Sequence, residues 1–392
     1  MGLVIFGDLF TFPEGFAATN RVYMYAKGFS ENGVRAVVIC FASQHLDISN
    51  GIIDGVPYYH PYQQKKRSEY FIVRRWQNLA KYFRTYSIMK RLHKQDKILA
   101  INVWTNLFLT HLFAWFLSKL FKAELITESS EHPLRFYQKG LFRKKLGALK
   151  SYVESHLNDG FFCISRYLVN FYRERGIDSK RLFLVPSIVD PSRFSVQANS
   201  PLAQQYIGYF GSLTFERDSV DVLLKGFARF SNEEPNVYLV LGGFCSDSQR
   251  KKILALISEL NIETKVIILN HLTKEEITGY IAHACALVMV RSRDLESDAS
   301  YPSKLTEFLA TGKPVVSVDV GEISDYLSDG VNIFLTQPGD VGEIAEKLIS
   351  IFKNYSNAAL IGKRGRVLTE GIFNYNYQAK RMIDFIKLLK SN

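Results

Sequence analysis

Short continuous apolar runs alternate along this chain with longer segments whose apolar residues recur at helical spacing. The runs are LVIF (3–6), RAVVICF (35–41), ILAINV (98–103), ELIT (124–127), GFFCIS (160–165) and LFLVP (182–186), then IGYF (207–210), VYLVLGG (237–243), KVIIL (265–269), ALVMV (286–290) and PVVSV (314–318). Bounded by polar or glycine-containing segments, such runs read as strands buried on both faces. With a helical segment between most of them, they predict repeated βα units, parallel sheets and an α/β class. A chain of 392 residues is too long for one typical domain and suits two.

The pattern is most informative from Asp298 to Gly321, DASYPSKLTEFLATGKPVVSVDVG. Asp298, Ala299, Ser300 and Ser303 are small or polar and predict a loop. Lys304–Ala310 predicts a short helix, with Leu305, Phe308 and Leu309 at helical spacing. Thr311 and Gly312 end it, Gly312 suiting the left-handed residue that often follows a helix. Pro314–Val318 predicts a buried strand. Lys304 then lies in the first helical turn, with Glu307 one turn further on the same face. A helix N-terminus presents unpaired N–H groups that suit a phosphate, and Lys304 adds a full charge. Glu307 could accept hydrogen bonds from vicinal hydroxyls such as those of a ribose. The same spacing also describes an ordinary solvated ion pair.

Residues 1–50 predict strand, loop, helix and strand. The loop GDLFTFPEGFAATNR carries Gly15 and ends in Thr19 and Asn20, both good helix caps. A loop in this position, after the first strand of a parallel sheet, is where ligands bind. No G-x-G-x-x-G is present, so a dinucleotide fingerprint is absent.

Charge changes the picture at 62–97. Lys65, Lys66, Arg67, Arg74, Arg75, Lys81, Arg84, Lys90, Arg91, Lys94 and Lys97 stand there against Glu69 and Asp96, eleven cations to two acids, or +9 of the +11 on the whole chain. Ile72, Trp76, Leu79, Phe83 and Tyr86 share one helical face, with Arg74, Lys81 and Arg84 roughly opposite. A basic amphipathic helix with aromatic residues reads as a membrane-surface element; a solvated basic face over a core stripe, or a nucleic-acid patch, has similar charge. Asn106–Phe121 is apolar nearly all round, holds His111 and Lys119, and is too short for a span; it predicts a buried or membrane-abutting helix. Phe142–Leu157 is again basic, with Arg143, Lys144, Lys145 and Lys150. Cys40, Cys163, Cys245 and Cys285 are isolated, without metal-ligand or redox spacing, and predict buried thiols in a reducing compartment. Leu3–Phe6 already reads as a strand, so no signal peptide is expected ahead of it.

PSKLTEFLATGKPVV resembles the donor-binding segment of glycosyltransferase family 4. These are retaining enzymes with two Rossmann-like domains, their parallel sheets facing a central cleft, in the GT-B architecture. The resemblance implies that Glu307 holds the nucleotide ribose, with Ser303 and Lys304 beside it on the donor. Many members carry another glutamate eight positions earlier, where this chain has Ala299. VPSIVDPSRF is similar to the family hinge, with Val185, Pro186, Asp190 and Phe194 in place. In IGYFGSLTFERDS, Gly211 matches, Ser212 stands where the family usually has Arg, and Arg217 where it has Lys. Arg217 is therefore the implied phosphate ligand, and Arg291 and Arg293 are candidates to replace the charge missing at Ser212. PEGFAATNR resembles the first loop, in which Gly15 would let the backbone approach the donor diphosphate. Glu131-His132-Pro133, after ELITESS, is similar to the loop that often carries a catalytic His or acid, and Glu128 belongs to the same group of candidates. Gly339 and Asp340 match a conserved-type turn, and Phe373 precedes a helix that would cross back to the first domain. The implied domains are 1–195 for the acceptor, 196–372 for the nucleotide sugar, and 373–392 for the crossing helix.

The expected function is a retaining glycosyltransferase of the hexosyltransferase type. It would move a sugar from a nucleotide-sugar donor to a glycan or lipid-linked acceptor, in surface polysaccharide synthesis. Arg217, Lys304, Glu131 and His132 are the candidate catalytic residues. Gly15, Gly211, Ser212, Arg217, Arg291, Ser303, Lys304 and Glu307 are the candidate donor-binding residues. No D-x-D occurs in the chain, and neither a metal nor a cofactor is expected. Partners would be the donor, the acceptor and an anionic membrane surface reached through 62–97, without nucleic acid. The protein would be cytoplasmic, or peripheral on the inner face of the membrane. Because fold does not dictate chemistry, a sugar-nucleotide epimerase of the same architecture is an alternative. An inactive basic relative binding membrane or nucleic acid is another, kept open by Ala299 and Ser212.

Overall fold

The computed structural model describes residues 2–45, 48–133, 141–195, 199–270 and 272–391. The chain forms two compact units, Met1–Ile188 with Tyr375–Asn392, and Val189–Asn374. The polar stretch 195–205 therefore lies within the second unit and not at its edge.

The first unit runs β1 (Gly2–Gly7), α1 (Ala17–Glu31), β2 (Arg35–Cys40), β3 (Asn50–Ile53), β4 (Val56–Tyr59), α2 (Phe71–Gln95), β5 (Ile98–Trp104), α3 (Phe108–Phe121), β6 (Glu124–Ser129), α4 (Leu141–Leu157), β7 (Gly160–Cys163), α5 (Arg166–Arg173) and β8 (Leu182–Leu184). The sheet order is β3-β4-β2-β1-β5-β6-β7-β8, parallel except for the β3–β4 hairpin. The β-branched runs predicted as strands are buried on both faces because helices cover each side. On one side Val22, Tyr25, Ala26 and Phe29 of α1 pack with Leu3, Ile5, Val38 and Trp104. On the other, Met89 and Leu92 of α2 and Ala114, Leu117 and Phe121 of α3 pack on Val4, Phe6, Ile101 and Val103.

The second unit runs β9 (Tyr206–Phe210), α6 (Val220–Glu233), β10 (Tyr238–Gly242), α7 (Asp247–Glu259), β11 (Val266–Leu269), α8 (Lys274–His283), β12 (Ala286–Met289), α9 (Leu295–Ala299), α10 (Ser303–Ala310), β13 (Val315–Val318), α11 (Ile323–Tyr326), β14 (Phe334–Thr336), α12 (Val341–Lys353) and α13 (Tyr355–Glu370). Its sheet is wholly parallel, in the order β11-β10-β9-β12-β13-β14. The last helix, α14 (Tyr375–Ser391), belongs to the first unit, where Ala379, Met382, Ile383 and Ile386 complete the core beside α1.

Three local expectations are corrected. Thr19 and Asn20 lie inside α1, whose N-cap is Phe16, without a side-chain cap. Asp298 and Ala299 are not loop but the end of α9, which Asp294 starts through a capping box with Ser297. In α2 the face opposite the aromatic stripe points inward. Lys81 is buried, its Nζ donating to Phe41 O (3.1 Å) and Ser43 Oγ (3.1 Å). Arg84 donates to Pro61 O (3.2 Å) and Tyr62 O (2.9 Å), and Arg74 to Ser68 O (3.0 Å) and Glu69 O (2.8 Å). Ile72, Trp76, Leu79 and Phe83 are the outward residues, 70%, 64%, 52% and 72% exposed. Lys81 and Arg84 thus reach carbonyls of the unit, while the apolar stripe of the first half of α2 and Arg75 face solvent. Burial lowers the Lys81 pKa, and Asp8 opposes the shift.

Gly312, at φ +71°, supplies the left-handed turn after α10 as expected.

Candidate active site

In the second unit the loops leaving β9 and β12 carry the candidate phosphate ligands. β9 ends at Phe210, and Gly211 N donates to Gly242 O (3.0 Å). Gly243 has φ +140°, and a Cβ there would lie 1.9 Å from Gly211 O, so close approach of the two loops requires glycine at 243. Ser212 is exposed and its carbonyl accepts from the Tyr209 hydroxyl (2.9 Å). The loop then reaches Arg217, whose side chain is exposed and whose carbonyl accepts from Ser292 N (2.9 Å) and Ser292 Oγ (3.1 Å). These bonds fix the loop after β9 to the loop after β12.

Arg291, the neighbour of Ser292, is only 8% exposed. Among the described residues its Nε and Nη2 have no hydrogen-bond partner. Burial lowers its pKa and Arg217 lowers it further, opposed by Asp294, Asp218 and Glu296. Most buried guanidinium groups are fully hydrogen-bonded. One that keeps an unused Nε/Nη2 fork beside a second arginine is suited to a bidentate oxyanion. Arg293 is different: it donates to Asp319 O (3.1 Å).

On α10, Lys304 Nζ lies 2.8 Å from Glu307 Oε2, and Arg193 Nη1 lies 3.9 Å from Glu307 Oε1. Glu307 is only 6% exposed, whereas Ser303 and Lys304 are half-buried. The helical spacing therefore produces the expected pair on one face, with both carboxylate oxygens already facing cations. A ribose would share Glu307 with them. Ala299 is fully buried at the end of α9, so no charge extends from that position.

The first unit resolves the other candidates. A Cβ at Gly15 would lie 2.2 Å from the hydroxyl oxygens of both Thr11 and Thr19, and Thr19 Oγ1 donates to Thr11 O (2.6 Å). Gly15 thus fits closely between Thr11 of the loop and Thr19 of α1. Glu128 is committed to the core, where Arg21 Nε donates to its Oε1 (2.8 Å) and the Tyr25 hydroxyl to its Oε2 (3.1 Å). Arg21 also donates to Val185 O and Pro186 O (2.7 and 2.8 Å). Burial raises the Glu128 pKa, and Arg21 opposes the shift. Glu131 is exposed. His132 is buried beside the rings of Phe171 (5.0 Å) and Tyr167 (5.9 Å), and burial, with Arg175, lowers its pKa. The side chains of Arg143, Lys144 and Lys150 lie outside the described residues.

Two features were missed in the sequence. The Arg21–Glu128 pair joins residues far apart in the chain and has no local signature. A cavity of about 390 Å³, lined by Asp8, Leu9, Ser43, Lys81 and Asn106 among others, lies just beyond the carboxyl ends of β1, β2 and β5. Its position, where ligands of parallel sheets bind, was the available signal.

The family model of glycosyl transferases group 1 matches residues 192–367. N-acetyl-alpha-D-glucosaminyl L-malate synthase of Bacillus anthracis is 24% identical over 150 residues, 38% of this chain and 36% of that protein, so the match spans about a third of the relative's length. Sucrose-phosphate synthase from Thermosynechococcus elongatus has a similar fold, with TM-score 0.72, 16% identity, and 100% and 99% of the two chains covered. HepE of Anabaena, solved in complex with UDP-glucose, has TM-score 0.69 and 16% identity over 98% and 99%. Residues 192–367 thus match the model of the glycosyl transferases group 1 family, and the chain's two α/β units with parallel sheets have the GT-B fold.

Proposed function

We propose that the protein is a retaining glycosyltransferase whose second unit binds a nucleotide-sugar donor. Its acceptor is a glycan or lipid-linked intermediate of surface polysaccharide synthesis. The observation that carries this reading is Arg291, buried with an unused fork and tied through Ser292 to the Arg217 loop. The nucleoside diphosphate leaving group gains negative charge as the glycosidic bond breaks. Preorganised cations facing that charge lower the barrier. Arg291 and Arg217 supply them after β12 and β9, and Lys304 with the first turn of α10 supplies a third contact. Arg291 thereby takes the part that Ser212 cannot. Glu307, released in part from Lys304, accepts from the ribose hydroxyls. In this reading the charge is carried by the protein's own cations, without a metal. In the first unit, Glu131 and His132 remain the candidates for the reacting sugar or the acceptor hydroxyl.

A uridine nucleotide is the first donor to try, because the HepE complexes with UDP and UDP-glucose support it. The first unit is read as docking on an anionic membrane. A second exposed stripe lies on α3, Leu109, Leu112, Phe116 and Leu120, and Tyr82 of α2 packs on Phe113 of α3 (4.8 Å). Exposed Lys65, Lys66, Arg75, Lys90, Arg91 and Lys94 lie in or just before α2. Among the described residues no helix is long and apolar enough to cross a membrane.

Calorimetric titration with UDP, GDP, ADP and uridine tests the donor reading. Arg291→Gln and Arg217→Gln should each weaken diphosphate binding about tenfold, the scale of one lost charge-assisted contact, and leave uridine binding unchanged. Wild-type protein that binds none of the diphosphates would overturn the reading. Consumption of nucleotide sugar only with acceptor present separates transfer from epimerisation.

A further inference from the structure

A second cavity of the first unit, of about 510 Å³, lies at the start of α2. Arg67, Arg74 and Arg75 line it together with His45, Tyr62 and Phe71, and no carboxylate is among its described lining residues. Its volume is in the range of small-ligand sites. Arg74 is held locally, its Nη1 donating to the carbonyls of Ser68 and Glu69 just ahead of α2. Arg75 lies over the Phe71 ring, 4.9 Å from its centroid. Three arginines thus line one concavity, and the guanidinium groups of Arg74 and Arg75 have defined neighbours. Planar guanidinium forks match phosphate oxygens in pairs, and several around one cavity favour a doubly charged phosphate over a carboxylate.

The surroundings indicate what carries the phosphate. Phe71 and Arg75 belong to the first turns of α2, where the exposed stripe of Ile72, Trp76, Leu79 and Phe83 begins. An apolar chain leaving the cavity therefore has an apolar track. Ser43 lines this cavity and also the one beyond the carboxyl ends of β1, β2 and β5. It is held there by Asn78 (Ser43 Oγ to Asn78 Oδ1, 2.8 Å) and by Lys81. A group attached to the phosphate can thus extend towards the edge of the sheet where ligands bind.

We propose that the Arg67–Arg74–Arg75 cavity binds the phosphate group of an amphiphile, and that this phosphate anchors the acceptor. The proposal rests on reading the first unit as the acceptor side. It differs from membrane docking in placing the anion within a cavity and not against a diffuse basic face.

Calorimetric titration with decyl phosphate below its micelle concentration, inorganic phosphate, and uncharged decyl glucoside, all at 0.15 M salt, tests it. Decyl phosphate should bind, and more tightly than either of the others. Arg67→Gln and Arg75→Gln, both exposed and outside the core, should each weaken it at least tenfold. Lys90→Gln and Arg91→Gln, which lie further along α2 and outside the cavity, should not. Equal affinity for inorganic phosphate would keep an anion site but overturn the amphiphile. Equal losses in all four variants, or no binding of either phosphate, would overturn the cavity. UDP titration of the same proteins reports separately on the donor reading, because none of the four residues lies in the second unit.

Discussion

At the residue scale, the Lys304–Glu307 pair decides between a structural and a functional helix. Its oxygens already face Lys304 at 2.8 Å and Arg193 at 3.9 Å. If Glu307 serves the ribose, Glu307→Gln weakens UDP binding about tenfold with a small change in melting temperature, and Lys304→Ala lowers kcat/KM about 10²-fold. Unchanged UDP affinity with a lower melting temperature would make the pair structural. Two buried histidines give a pH dependence. Burial lowers the pKa of both His60 and His132 from the usual 6.5. The unfolded chain therefore takes up protons first, near pH 6.5. Stability is full above that value and falls as pH drops towards the lower folded pKa values. The melting temperature should fall between pH 7.5 and 5.5, and less steeply in His132→Phe. An equal slope in that variant would remove His132 from the account. Gly15 and Glu128 show the limit of reading single residues: both carry the pattern of a site, and in the fold Gly15 also meets the Thr11 and Thr19 hydroxyls while Glu128 pairs with Arg21.

At the element scale, α2 is the feature whose meaning changed most. The sequence showed an apolar stripe and a set of cations, but not which faced solvent. Helical periodicity defines faces without orienting them, and here the sheet selects the side bearing Lys81, Thr85 and Met89. That choice leaves Trp76 and Phe83 outside. Wild-type protein should float with anionic vesicles. Charge reversal at Lys90, Arg91 and Lys94 should reduce low-salt binding, each charge contributing about 1 kcal/mol near an anionic surface. Trp76→Ser with Phe83→Ser should reduce the part left at high salt, because buried apolar area is not screened. Lys81→Ala should instead lower the melting temperature, since its ammonium holds Phe41 O and Ser43. Absence of flotation at low salt would end the membrane reading. By contrast α10 was legible in full, from Lys304 to Gly312, because its apolar spacing, its left-handed glycine and the following β-branched strand agree at every level.

At the scale of the whole molecule, α14 follows the second unit in sequence but completes the core of the first through Met382, Ile383, Phe385 and Ile386. Removing residues 375–392 should abolish hydrogen-exchange protection in β1, β2 and α1 and leave β9, β10 and β12 protected. Unaltered protection in the first unit would mean that its core closes without the helix. The sequence by itself determined the α/β class, most of the strands, the α10 segment and the concentration of charge at 62–97. These follow from local apolar spacing and composition, which tertiary structure seldom overrides in long, consistent segments. Only the tertiary structure decided that Arg291 is buried with a free fork, that Arg21 occupies Glu128, that the stripe of α2 faces outward, and that three arginines surround one cavity. These depend on which neighbours the closing sheets bring against each segment, most of them distant in the chain, and hydrophobic periodicity carries no information about such pairings.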